Sequence, residues 1–304
     1  MIRLILMVII LSAGTWGASA FAQSATPQAK KQMLAHCQRV IDAALAKITP
    51  HLHEYKNLQN KKDLVLLVPA ADVNAFANYE DQQVLIPVML CIQSWYLVDA
   101  MVQMYETPSL QPSVVRYTKY LHSRQREAVR SGPVDNVIIK PFNDFSGTAR
   151  KKLSAADQQK YAGKGEAMLV EGMAFLLGHE IGHLALIHRR YDEISSVEAL
   201  RQEDGADAFA ARLLADSKVS ILPSMLSFMW FMESEAVLTG IQEGRRTHPR
   251  AECRFERIVA SSSELNELMK DPKRRLEFER GSGYTVQQYE DLMLELREDC
   301  LRSP

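Results

Sequence analysis

The 304-residue sequence has almost no net charge: 36 Lys and Arg stand against 37 Asp and Glu, which leaves −1. A chain without a basic excess lacks the means to hold a nucleic-acid backbone or an anionic lipid surface by charge, so nucleic acid is excluded as a partner. There is no Cys-x-x-Cys pair among its 4 cysteines, which rules out the usual structural zinc knot. Internal repeats and low-complexity tracts are absent too, so neither a solenoid nor a disordered tail is expected. Beyond the N-terminus no apolar run reaches the roughly 20 residues a membrane span needs. The nearest approach, Ile221 to Met232, holds Met225, Leu226, Phe228, Met229, Trp230, Phe231 and Met232, and Glu233 and Glu235 cut it short. It reads as a core helix; contact with a membrane or a substrate cleft is the alternative. What remains, 47% apolar and 24% charged residues, is the balance of a globular chain that buries a core.

The first residues form a separate unit. Met1-Ile2-Arg3 supplies a positive start, Leu4 to Leu11 is unbroken apolar sequence, and Ala18-Ser19-Ala20-Phe21-Ala22 ends in an Ala-x-Ala cleavage pattern. This predicts a signal peptide over 1–22, cut after Ala22, with a site at Ala20 as the second choice. The expected destination is the periplasm, or secretion outright, with peripheral contact to envelope proteins or membrane as an option. In an oxidising compartment Cys37, Cys91, Cys253 and Cys300 allow two disulfides in three pairings. Cys37 with Cys91 and Cys253 with Cys300 would join neighbouring segments; four buried thiols are the alternative.

Residues 23–304 read as a single domain, mainly α with a small β-sheet (α+β). Met33, Leu34, Cys37, Val40, Ile41, Ala44, Leu45 and Ile48 recur at helical spacing and predict a helix over 29–48, stopped by Pro50. Leu64 to Val68 suits a buried strand ended by Pro69. Val84 to Leu90 suits a second, which Pro87 would place at an edge or turn into a helix. Helices are expected over 91–105, 167–188, 196–216, 221–242, 250–270 and 285–301. Between 106 and 165, Pro108, Pro112, Gly132-Pro133, Pro141, Gly147, Gly163 and Gly165 predict a loop-rich excursion with short helical pieces, a candidate lid.

The chemistry concentrates in His179-Glu180-Ile181-Gly182-His183, inside an apolar helical run. Positions i and i+4 share a helix face, so His179 and His183 can converge on one ion. Glu180 lies about 100° around the helix and stands beside the ion rather than on it. Zinc lowers the pKa of bound water toward roughly 7, and an adjacent carboxylate can take its proton as the water attacks a carbonyl. A third ligand is required. No third histidine sits six residues on, where Arg189 stands, and His188 is expected to point away on the same helix. Glu203 follows His183 after 19 intervening residues, enough for one helix to end and a second to pack back. Asp207, one turn beyond Glu203, can accept a hydrogen bond from the non-ligating nitrogen of His179. Gly182 reads as a packing residue that lets helices approach.

His-Glu-x-x-His followed by Glu203-x-x-x-Asp207 resembles the gluzincin zinc peptidases. Asn74-Ala75-Phe76-Ala77 is similar to a segment of their HtpX-like branch, and Thr247-His248-Pro249 with Arg254 is similar to its downstream element. The resemblance implies a zincin-like domain holding one zinc per chain, acting on a protein or peptide substrate, with residues 74–77 beside the cleft. It gives His248 one of two roles: donating to the oxyanion, or closing the open coordination position. As a plain helix-start residue before Pro249 it would have neither. Arg254 would pair with Asp207 or Glu203, or lie on a solvated face. The chain departs from the branch in the short interval between His183 and Glu203, in the long 91–165 region and in lacking multiple membrane spans. The activity expected is metal-dependent peptide hydrolysis with Glu180 as general base. The alternative is a catalytically silent zinc-binding adaptor or regulator, in which Glu180 would have no task.

Overall fold

The apolar spacing near the N-terminus becomes helix α1 (Pro27–Ile48), which buries Met33, Cys37, Val40, Ile41, Ala44 and Ile48. Pro50 then tightens the chain into a 3₁₀ turn, Thr49–His51. The computed structural model describes residues 27–55, 58, 63–70, 74–131, 139–148, 154–221, 251–261, 267, 270–282 and 285–302. The 1–22 segment, most of the 221–242 stretch and His248 lie outside them.

Three short strands follow: β1 (Val65–Val68), β2 (Phe76–Asn78) and β3 (Gln83–Pro87). Their order is β1-β3-β2, with β3 parallel to β1 and antiparallel to β2. The strand that contains Pro87 is therefore the central one, not an edge. Proline is tolerated because it is the last residue of β3 and at once caps the next helix, so no interior donor is missing. That helix, α2 (Val88–Glu106), leads to α3 (Gln111–Ser131).

The stretch expected to be loop-rich is thus built largely on a 21-residue helix. Its burial recurs at Val114, Tyr117, Thr118, Leu121, His122 and Ala128, a stripe diluted by enough polar residues to hide it. The short helix α4 (Phe142–Ser146) is clamped on α3: Tyr117 meets Phe142 and Phe145 at 5.3 and 5.1 Å between ring centroids, and its hydroxyl donates to the Lys140 carbonyl at 2.6 Å.

Helix α5 (Ala155–Ala185) is 31 residues long. It starts well before its apolar run because Ser154 caps it, accepting from the Asp157 amide while Asp157 itself favours the helix N-terminus. Its second half is buried on nearly every side. Helix α6 (Ser196–Asp216) is capped the same way by Ser195 and Glu198 and packs back along it. A close approach of small residues sets that packing. A Cβ at Gly178 would lie 3.4 Å from the Ala210 Cα, and one at Gly182 only 3.1 Å from Phe209 Cδ1 and 3.2 Å from the Ala206 Cα.

The chain closes with α7 (Ala251–Ser261), α8 (Pro272–Ser282) and α9 (Val286–Arg302). Helix α8 has no apolar stripe for periodicity to detect; Asp271 caps it by accepting from the Lys273 amide. All four cysteines are paired, Cys37 with Cys91 and Cys253 with Cys300, which ties α1 to α2 and α7 to α9. The architecture is mainly helical with one small three-stranded sheet. Among the described residues no helix is long and apolar enough to cross a membrane.

Because backbone atoms of α6 face Gly182, they cannot yield as a side chain tip would. Gly182→Val should lower stability by about 1–3 kcal/mol through overpacking, read as a fall in the urea midpoint at unchanged slope.

Candidate metal centre

The buried stripe of α6 runs through Ala199, Gln202, Glu203, Ala206, Asp207, Phe209, Ala210, Leu213 and Leu214. Three of these are polar, and burying them without partners would cost several kcal/mol each. All three are used at the junction with α5. Glu203, fully buried, places Oε1 3.3 Å from His183 Nε2 and Oε2 3.5 Å from His179 Nε2. The two Nε2 atoms are themselves 3.2 Å apart. One ligand atom from each of His179, His183 and Glu203 falls within 4.8 Å of the others, and all three residues are buried. Two imidazole nitrogens and a carboxylate oxygen aimed at one point fit a divalent transition ion, and the helices already hold them there.

Asp207 supports the first histidine as the sequence implied: its Oδ1 lies 2.9 Å from His179 Nδ1. Arg254 on α7 closes the cluster from the other side, donating from Nε and Nη2 to Asp207 at 2.8 Å each and reaching Glu203 Oε2 at 3.3 Å. Of the two fates open to Arg254, the buried ion pair is the one the structure shows. Burial alone would raise the Asp207 carboxyl, but the Arg254 charge and the hydrogen bonds from Arg254 and His179 outweigh it and hold the group at about 2. Burial would likewise lower His179, yet the Asp207 hydrogen bond and the Glu203 charge raise it.

Glu180 is buried beside the pair, 8% exposed. Desolvation lifts its pKa above the usual carboxylate range, against the pull of His179 and His183. A raised pKa makes the carboxylate a stronger base. Tyr79, just after β2, feels both acids: burial first, then the Glu180 and Glu203 charges, push its hydroxyl up to about 12.

Two contacts were not expected. The α5 helix ends at Ala185, and Ile187 takes a positive φ of 55°. His188 therefore folds back instead of continuing outward, and its Nδ1 stands 2.9 Å from His183 Nδ1. Tyr191 donates its hydroxyl to Glu203 Oε1 in a short hydrogen bond. The helix stop carries neither of the residues that usually signal one, Gly or Pro, so helical extrapolation sent His188 the wrong way. A β-branched residue in that backbone region costs on the order of 1–3 kcal/mol and persists only where neighbours over-determine it. They do so here. The Ile187 and His188 amides donate to the Leu184 and His183 carbonyls at 3.2 and 3.0 Å. Gln202 then grips both backbone groups of Arg189, accepting at 2.6 Å and donating at 2.9 Å. The signal that could have found this was Gln202 itself, an amide in an otherwise apolar helical stripe.

Asn74-Ala75-Phe76-Ala77 enters β2, with Ala75 buried and Phe76 exposed. The strand lies on the sheet edge and packs near α5. Against this geometry the comparison with known families is specific: the Peptidase U49 family model matches residues 116–268, just over half of the chain and inclusive of every site residue on α5, α6 and α7. The chain belongs to the Peptidase U49 family. No match is found among curated proteins or among solved structures.

Asp207 makes an acid-sensitive contribution. Its folded pKa, about 2, is below the ordinary value of 3.8, so the stabilisation is full above roughly pH 4 and disappears as pH falls through about 2. With metal removed by chelator, the stability difference between the parent and Asp207→Asn should shrink by about 2 kcal/mol over that window. A difference independent of pH would show that Asp207 is not held as an anion.

Proposed function

We propose that the protein is a zinc-dependent peptidase of gluzincin type, with His179, His183 and Glu203 as ligands and Glu180 as general base. The single observation that carries the reading is the convergence of two Nε2 atoms and the Glu203 carboxylate at a buried point, with Glu180 beside it in a family of peptidases. Zinc is favoured over other divalent ions because two imidazoles and one carboxylate suit it, with one position left open. When bound, it would supply the Lewis acidity that polarises a peptide carbonyl and acidifies water.

The chain's own residues then have defined tasks. Glu180, desolvated and raised, takes the proton from the attacking water and passes it to the departing amide nitrogen. Asp207 holds His179 in the tautomer that leaves Nε2 free, and Arg254 keeps Asp207 ionised. Tyr191 borders the same space and donates its hydroxyl to Glu203, and Tyr79 lies within electrostatic reach of Glu180 and Glu203. An extended peptide would lie along β2, whose outer edge carries no strand partner among the described residues.

Kinship with the HtpX-like branch is supported by Arg254 folding onto Asp207 and Glu203 and by residues 74–77 standing at the strand beside α5. Export by a signal peptide over 1–22 is supported by the residue pattern and by two disulfides that an oxidising compartment would maintain. A role in cell-envelope protein maintenance or maturation follows from that location.

Purified mature protein should carry about one zinc per chain by mass spectrometry of the metal. Glu180→Gln should keep the metal and lose peptide hydrolysis by two or more orders of magnitude, whereas His183→Ala and Glu203→Ala should lose both. Undiminished cleavage by Glu180→Gln would sink the mechanism.

A further inference from the structure

We infer that His188 is the positioning residue of His183, a neutral imidazole standing where His179 has a carboxylate. The inference rests on the metal reading, and it assigns the group that decides which nitrogen of His183 faces the ion. Both Nε2 atoms point to the ligand cluster, so each histidine needs its Nδ1 proton fixed by an acceptor. His179 finds Asp207 at 2.9 Å. For His183 the atom facing Nδ1 is His188 Nδ1, also at 2.9 Å.

Between two like nitrogens only one arrangement serves a metal on Nε2. His183 Nδ1–H donates, His188 Nδ1 accepts, and the His188 proton sits on its own Nε2. The rings are set for this, 4.9 Å between centroids and 76° between planes.

The delivery of His188 is built rather than incidental. A helix continuing past Ala185 would carry residue 188 away from residue 183, since five positions is well over one turn. The left-handed Ile187 reverses the chain, the two amide bonds to Leu184 and His183 lock the reversal, and Gln202 fixes Arg189 immediately after it. Gln202 neighbours Glu203 on α6, so the same turn of that helix supplies the third ligand and secures the support of the second.

The two histidines thus differ in kind. His179 is backed by an anion whose charge Arg254 balances; His183 is backed by a neutral acceptor. A second carboxylate beside His183 would instead add negative charge near Glu203 and Glu180.

The test measures zinc affinity by competition with a chromophoric chelator, together with thermal stability of the metal-free protein. His188→Leu should weaken zinc binding by 10–100-fold, and His188→Asn, whose side chain can still accept, should recover part of the loss. Metal-free stability of the asparagine variant should stay near that of the parent. In the zinc-loaded parent, nitrogen NMR of labelled histidine should show His183 protonated at Nδ1 and His188 at Nε2. Parental affinity in His188→Leu, or a His188 proton on Nδ1, overturns the inference while leaving the metal site standing. A parent protein that binds no zinc at all overturns the metal reading and the inference with it. Should the leucine variant not fold, the NMR assignment in the parent still decides.

Discussion

Four groups that water would solvate well are held together in a buried helix junction, and most of the surrounding structure exists to make that tolerable. Glu203 is completely buried, and both histidines and Glu180 are nearly so. Such a cluster repels itself and pays a desolvation cost unless each member is paired. Arg254 supplies the cation, Asp207 fixes His179, Tyr191 binds Glu203 and His188 faces His183. The geometry depends in turn on how closely α5 and α6 approach. Gly178 and Gly182 on one helix meet Ala206 and Ala210 on the other, each pair spaced one turn apart. Larger residues along that seam would carry Glu203 outward, away from His179 and His183.

The environments of the carboxylates diverge. Asp207, gripped by a guanidinium through two hydrogen bonds, stays an anion down to strongly acid conditions and can only support. Glu180 has no such grip among the described residues, and desolvation raises its pKa above the ordinary carboxylate value. Chemically identical groups on adjacent helices thereby differ: one is a fixed counter-charge, the other the base that the proposed mechanism needs.

Much of this could be read in the residues because the relevant patterns are local. The i, i+4 pair of histidines and the second pair formed by Glu203 and Asp207 each act within a single turn, whereas the Ser154 cap starts α5 well before the expected residue 167. The signals failed where tertiary structure overrode them. Pro87 argued for an edge or for a turn into a helix; it ends a central strand and leads straight into α2, so the second alternative holds and the first does not. The helix α3 hid because its buried face is shared with histidine and threonine. His188 was misplaced because a β-branched isoleucine, a poor candidate for left-handed backbone, makes the turn. In each case the local preference lost to packing or hydrogen bonding supplied from a distant segment.

The bond between Cys253 and Cys300 reaches the polar cluster through a single peptide step. Arg254, the cation that meets Asp207 and Glu203, directly follows Cys253, so its helix is stapled to α9. A reductant that opens this one bond would loosen the hold on the guanidinium without touching any group of the cluster itself. The redox state of two thiols is in this way tied to the charge balance of two carboxylates on α6.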